Sequence, residues 1–247
     1  MQAEIRFRSI AYDTFPLSYK GREYRLFKDQ RVENQNPITR AVEKEVVQWL
    51  FSKPNFIGIL LDEIDEERII QPFLELPRQT FDSSPEKDGD FDAIFCPPGR
   101  FESLTCIEFK GVKYDQQSPG DIPKINKLER LPKLIKQSRI ARETGFHKTY
   151  AAVISLVDLS NIPHPNVLTK FNPQGDYKKI YDLQVFGPLD PDVGTLLIEI
   201  EQPTGSDFRR MGQINVSRLR EAGAQKQPAK MIEEFREVFY RRANTRI

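Results

Sequence analysis

The sequence predicts an α/β protein with a mixed central sheet flanked by helices, extra strands at the N-terminus and an α/β extension at the C-terminus. Three observations predict it. Between residues 37 and 157, segments with helical spacing alternate with short apolar runs in the order helix, strand, strand, helix, strand, and such alternation builds layered sheets. The run from Tyr150 to Val157 is apolar almost without interruption, as expected of a strand covered on both faces. Finally, Asp90-Phe91-Asp92-Ala93-Ile94-Phe95 and Cys106-Ile107-Glu108-Phe109-Lys110-Gly111 flank a Pro- and Gly-marked gap at Cys96-Pro97-Pro98-Gly99-Arg100, so strands 91–96 and 103–110 pair as a hairpin.

In chain order, residues 4–30 carry short apolar alternations (Ile5 with Phe7, Tyr24 with Leu26) and turn signals at Pro16 and Lys20-Gly21, which predict one or two strands. Val42, Val46, Trp49 and Leu50 recur at helical intervals. Thr39 suits the N-cap of that helix, which ends before Pro54. Phe56 to Leu61 and Ile69 to Leu76 read as two strands joined by an acidic turn holding Asp62, Glu63, Asp65, Glu66 and Glu67. Residues 78–89 read as a polar loop, and a second loop follows Lys110 at 115–123. Pro132 opens a helix carrying Leu134, Ile135 and Ile140, and Gly145 stops it, the N-terminal Pro and C-terminal Gly asymmetry of helices. Past 158, a Pro- and Asn-rich region leads to Leu183-Val185 and a strand from Thr195 to Glu201, read as an edge or surface strand because Glu199 and Glu201 recur in it. Pro228 opens an amphipathic helix with Met231, Ile232, Phe235, Val238 and Phe239 on one face. Residues 1–157 are thus expected to form the core, with an inserted hairpin, and 158–247 an extension packed on it rather than an independent domain.

Composition narrows the chemistry. The 247 residues carry a formal net charge of +1, with 30% charged and 38% hydrophobic side chains, so any contact with nucleic acid must come from a local basic patch. Without a long apolar run or a signal-like N-terminal segment, the expectation is a soluble cytoplasmic protein with no membrane partner. Two cysteines, Cys96 and Cys106, stand in neither metal-ligand nor redox spacing and read as buried free thiols. Two histidines, His147 and His164, argue against a histidine-rich zinc site and read as structural or surface residues. Oxygen ligation of Mg²⁺ or Mn²⁺ stays open.

The hairpin is where chemistry concentrates. Side chains alternate along a strand, so Glu108 and Lys110 project from one face while Ile107 and Phe109 bury the other. Pairing brings Asp92 close to them. Asp92, Glu108 and the backbone carbonyl of Phe109 would offer hard oxygen ligands to a divalent cation, which offsets charge repulsion at a phosphodiester and lowers the pKa of bound water. Lys110 would orient that water or stabilise developing negative charge. Glu43 and Glu45, on the preceding helix, are the candidates for a third carboxylate.

Together these residues resemble the PD-(D/E)xK nuclease superfamily, with its restriction-endonuclease-like core of helix, three strands, helix and strand. The matching positions are Glu43 on a helix, Asp92, and Glu108-Phe109-Lys110. Locally, Val42-Glu43-Lys44-Glu45-Val46 and Cys106-Ile107-Glu108-Phe109-Lys110 are most similar to archaeal-type Holliday junction resolvases. The resemblance spans about residues 37–157. It implies a Mg²⁺- or Mn²⁺-dependent nuclease, an endonuclease acting on DNA, with Asp92 and Glu108 binding metal, Lys110 in catalysis and Glu43 in a metal-linked role. It further implies a supporting part for Gln137 and the option of a homodimer. Two departures stand out: Phe91 occupies the position of the family's proline, and an acidic two-strand insertion separates the Glu43 helix from Asp92.

Plainer readings compete at each position. Glu108 and Lys110 would also serve as an ion pair at a sheet edge, and Asp176-Tyr177-Lys178 repeats the acidic-x-lysine pattern in an expected loop. Asp90 shares a strand face with Asp92 and is the alternative ligand. Seven basic residues from Lys124 to Arg142 surround the helix after the motif. Lys133, Lys136 and Arg139, with Lys113 upstream, are the candidates for phosphate contact, against the reading of a solvated helix face. At the level of function, the rivals are a non-cleaving nucleic-acid- or protein-binding module with the same fold, and a restriction or anti-phage nuclease whose residues 158–247 supply recognition.

Overall fold

A computed structural model describes residues 6–12, 14–16, 23–25, 42–66, 71–115, 124–126, 128–158, 175–202 and 212–244. Its strands are β1 (Arg6–Tyr12), β2 (Thr14–Pro16), β3 (Glu23–Arg25), β4 (Gln71–Pro77), β5 (Asp90–Cys96), β6 (Thr105–Asp115), β7 (Lys124–Asn126), β8 (Lys148–Asp158), β9 (Gly194–Gln202) and β10 (Gly212–Arg220). Its α-helices are α1 (Glu43–Phe51), α2 (Pro54–Glu63), α3 (Leu131–Thr144), α4 (Gly175–Tyr181) and α5 (Ala229–Asn244). The protein is α/β, as the sequence predicts. Eight strands form one mixed sheet in the order β1-β10-β9-β8-β6-β5-β4, with β7 attached to β6, while β2 and β3 pair separately. β6, β8 and β9 run parallel, and antiparallel pairs extend the sheet on both sides.

Helices cover both faces. On one, Val46, Trp49 and Leu50 of α1 and Phe56, Leu60 and Leu61 of α2 pack against Phe95, Ile107, Phe109, Ile154 and Ile198. On the other, Ile140 and Ala141 of α3 and Met231 and Phe235 of α5 meet Phe91, Ile94 and Cys106, and Leu131 and Leu134 meet Val153 and Leu197. β8 therefore sends Ile154 to one layer and Val153 to the other, which is why its sequence lacks polar alternation. Gly145 ends α3 at a φ of +108°, and a side chain there would collide with the Pro228 ring that precedes α5.

Four expectations require correction. Phe56 to Leu61 is helix, not strand: Pro54 opens α2, and Phe56, Leu60 and Ile64, each separated by one turn, are all fully buried. An apolar run this short does not reveal its period, and only the packing surface decides it. The inserted hairpin accordingly does not exist, because β4 belongs to the main sheet and pairs with β5. Glu199 lies on an interior strand between β8 and β10 and is 3% exposed. Asp176-Tyr177-Lys178 sits in α4 rather than a loop, where Asp176 accepts a hydrogen bond from the Ile125 amide at 3.0 Å. α1 has Val42 at its N-cap position, without a side-chain cap, and Thr39, Glu67 and His164 fall outside the described residues. Among the described residues no helix is long and apolar enough to cross a membrane.

Candidate active site

The candidate site forms at a gap in the sheet. β5 pairs with β6 through Ala93↔Ile107, Ile94↔Cys106 and Phe95↔Thr105, and β7 takes up the same strand only from Lys113 onward. Between them, two amides of β6 are met by side chains instead of a strand: Phe109 N–H donates to Asp92 Oδ2 at 2.8 Å, and Gly111 N–H donates to Glu43 Oε2 at 2.6 Å. Backbone donors at such a position require partners, and here both partners are carboxylates. The strand gap thereby fixes two acids along one edge.

Glu43 reaches this edge from the first turn of α1, where a negative charge suits the helix dipole. Its other oxygen, Oε1, accepts a charge-assisted hydrogen bond from Lys110 Nζ at 2.5 Å. Lys110 is 7% exposed, so the ammonium is held in one place by a single carboxylate. Alternation along β6 would turn Glu108 and Lys110 the same way, and their environments nonetheless differ sharply.

Glu108 is fully buried, and neither of its oxygens has a hydrogen-bond partner in the ionised form. Burial, and then the neighbouring Asp92, hold its carboxyl well above the ordinary range, opposed by the charges of Arg78 and, less strongly, Lys110. Burial likewise raises Asp92, while the Phe109 amide works against the shift and the Glu43 charge adds to it. Two carboxyls with raised affinity for protons thus face each other, with the charges of Arg78 and Lys110 only partly offsetting their burial.

Asp92 opens onto a cleft of about 480 Å³ that Glu43, Asp90, Phe109, Lys133, Lys136 and Gln137 also line. The position proposed for Gln137 from sequence thus lies in the same cleft as Asp92, and its Oε1 is buried without a partner. Asp90 is exposed at the cleft and pairs across the ladder with Pro77. Glu45 is half-buried on α1, has a partnerless buried Oε2, and lines neither this cleft nor the neighbouring groove. That groove, about 680 Å³, begins on the other side of Glu43 and is lined by Lys110, Lys113, Arg130 and Lys133. Arg139 lines neither; it lies 3.9 Å from Glu143 one turn along α3, and its charge reaches Glu86 at the cleft. Arg142 is absorbed by Asp192 and the Gly223 carbonyl.

Asp92 and Glu108 are therefore the pair able to hold a cation together, and Glu43 is committed to Lys110 and Gly111. Among the described residues no group of three His, Cys, Asp or Glu side chains is assembled for a metal. Cys96 and Cys106 are buried free thiols, Cys96 pushed up to about 12 by burial. His147 is structural, its Nδ1 lying 2.8 Å from the Gln225 carbonyl. Sequence reasoning missed Arg78, a buried arginine at the end of β4 that lines the cleft. Nothing in its local pattern sets it apart from a surface arginine after a strand. Comparison of the chain with protein-family models, with curated proteins and with solved structures finds no match.

Proposed function

We propose that the chain is a metal-dependent nuclease of the PD-(D/E)xK type with a restriction-endonuclease-like core, hydrolysing phosphodiester bonds in DNA. The observation that carries this reading is the pair Asp92–Glu108, two adjacent carboxyls whose burial is uncompensated by any hydrogen bond to Glu108. The fit to Mg²⁺ or Mn²⁺ rests on that donor set, because hard oxygen ligands with excess negative potential suit a hard divalent cation. Asp92 and Glu108 would hold it, with the Phe109 carbonyl adjacent. When bound, the cation would polarise the phosphate and acidify water.

The remaining residues have roles of their own. Glu43 holds Lys110 in one place, so an ammonium is available where negative charge develops on the phosphate. Gln137 lines the cleft with an amide oxygen that has no partner, and Lys133 and Lys136 supply cations to a polyanion. The local resemblance to Holliday junction resolvases makes branched DNA the first substrate to try.

The test is cleavage of duplex, single-stranded and branched DNA with Mg²⁺ or Mn²⁺. Asp92→Asn and Lys110→Ala should each lose about a hundredfold or more of the activity, whereas Asp176→Asn, in the other acidic-x-lysine triplet, should retain it. Absence of cleavage by the parent protein on all three substrates, or full activity in both site variants, overturns the reading.

A further inference from the structure

Beyond the carboxyl pair, the cleft holds a second constellation, built from Arg78, Glu86 and Lys136. Arg78 is 5% exposed, and its Nε is buried without a partner. Its guanidinium is braced by the Asp88 carbonyl, 3.3 Å from Nη1, and by the Phe91 ring, 5.6 Å away. Lys136 projects from α3. Between the two cations sits the Glu86 carboxylate, 2.7 Å from Lys136 Nζ through Oε1 and 3.9 Å from Arg78 Nη1 through Oε2. Glu86 and Lys136 are each about half exposed, at 40% and 54% of their side chains.

A buried arginine and a lysine separated by one carboxylate form a clamp for an oxyanion. A guanidinium takes carboxylate and phosphate with the same fork of donors. Glu86 makes one good contact and one long one, so it fills the clamp imperfectly, and solvent-exposed ion pairs of this kind are weak. Its backbone is well anchored: Ser84 Oγ donates to the Glu86 carbonyl at 2.8 Å, and Ser83 Oγ ties the loop to Thr144 at 2.8 Å. The side chain is therefore free to swing out while the loop stays in place. All three residues line the cleft onto which Asp92 opens.

We propose that Arg78 and Lys136 bind a backbone phosphate of the nucleic acid, and that Glu86 occupies this site as an internal stand-in which the phosphate displaces. The inference rests on the nuclease reading for the identity of the polyanion. It adds a phosphate site and a built-in competitor, both of which act on binding rather than on bond cleavage. Glu86 thereby weakens binding of any strand that seats a phosphate between the two cations, because its carboxylate must first be displaced.

Binding of a fluorescein-labelled DNA duplex, followed by anisotropy in EDTA at several salt concentrations, tests it without requiring cleavage. Glu86→Gln should tighten binding about two- to fivefold, the worth of the exposed ion pair that no longer has to break. Lys136→Gln should weaken it and lower the slope of log Kd against log salt by about one. The combination decides the point: in the Lys136→Gln background, Glu86→Gln should lose most of its effect, whereas a mere change of net charge would act additively. Unchanged affinity in Glu86→Gln, or an additive double variant, overturns the clamp. If the parent protein never cleaves DNA but the coupling is present, the nuclease reading falls and the clamp stands. If it cleaves and the coupling is absent, the reverse holds.

Discussion

Two groups of acidic residues sit at either end of the same stretch of β6, and they are built in opposite ways. At the Thr105 end, the acidic run that closes α2 is spent on ion pairs: Glu63 lies 3.8 Å from Arg8, Asp65 pairs with Arg218, and Glu66 accepts from Thr105 Oγ1 at 2.8 Å and faces Lys148 at 3.5 Å. These contacts tie the end of α2 to β1, β10, β6 and β8. A few residues on, Asp92 and Glu108 face each other, and both oxygens of Glu108 are unanswered. Paired carboxylates of the first kind hold a fold together. Buried, unanswered ones raise its free energy, and such groups call for an explanation outside stability.

That contrast predicts opposite signs for conservative amide substitutions. Glu66→Gln removes the charge facing the mostly buried Lys148 and should destabilise the protein by about 1–3 kcal/mol. Glu108→Gln replaces a buried carboxyl that lacks a hydrogen-bond partner by an amide that can donate to Asp92, so in EDTA it should stabilise by about 1 kcal/mol while abolishing cleavage. Chemical denaturation of the two variants side by side reads both signs, and stabilisation by Glu66→Gln would dissolve the distinction.

The pH dependence sharpens it. Asp92 and Glu108 both titrate above their unfolded values, so the folded state binds more protons than the unfolded chain. Their contribution is complete below the unfolded carboxylate range, near pH 4, and is lost as pH rises through the raised folded values. Melting temperature in EDTA should therefore fall from mildly acidic toward neutral pH, and Glu108→Gln should flatten much of that slope. Excess Mg²⁺ or Mn²⁺ should restore neutral-pH stability in the parent protein but not in Asp92→Asn. A slope unchanged by both substitutions would place the protons elsewhere.

The smallest expected effect is at Gly111. A Cβ there would lie 3.4 Å from Glu43 Oε2, an ordinary contact that asks only a slight adjustment of the carboxylate. Gly111→Ala should change stability by no more than about 1 kcal/mol, with a few-fold loss of turnover as Glu43 and Lys110 shift together. A loss as large as that of Lys110→Ala would mean that activity depends on the exact position of the Glu43 carboxylate.

Much of this arrangement is legible in the chain. The hairpin of β5 and β6 follows from two apolar runs around a Pro-Pro-Gly turn, α3 from Pro132 and Gly145, and β8 from an apolar stretch that leaves no polar face. Asp92 beside Glu108 follows once that hairpin is drawn. Other features depend on partners distant in sequence. α2 was open to reading as a strand because its apolar run is continuous, and Glu199 as a surface acid because nothing adjacent to it reveals a strand on either side. Lys110 and Glu43 are separated by 67 positions, and only the docking of α1 at the strand gap joins them.

The sequence by itself determined the α/β class, the hairpin and the placement of an acid, an acid and a lysine on neighbouring strands, because these depend on periodicity and turns within short windows. Tertiary structure decided which charges are paired. It gave Glu43 to Lys110, buried Glu108 without an answer, and set Glu86 between Arg78 and Lys136. Pairing depends on distances in space and on exclusion of water, and neither is written in the spacing of residues along a chain.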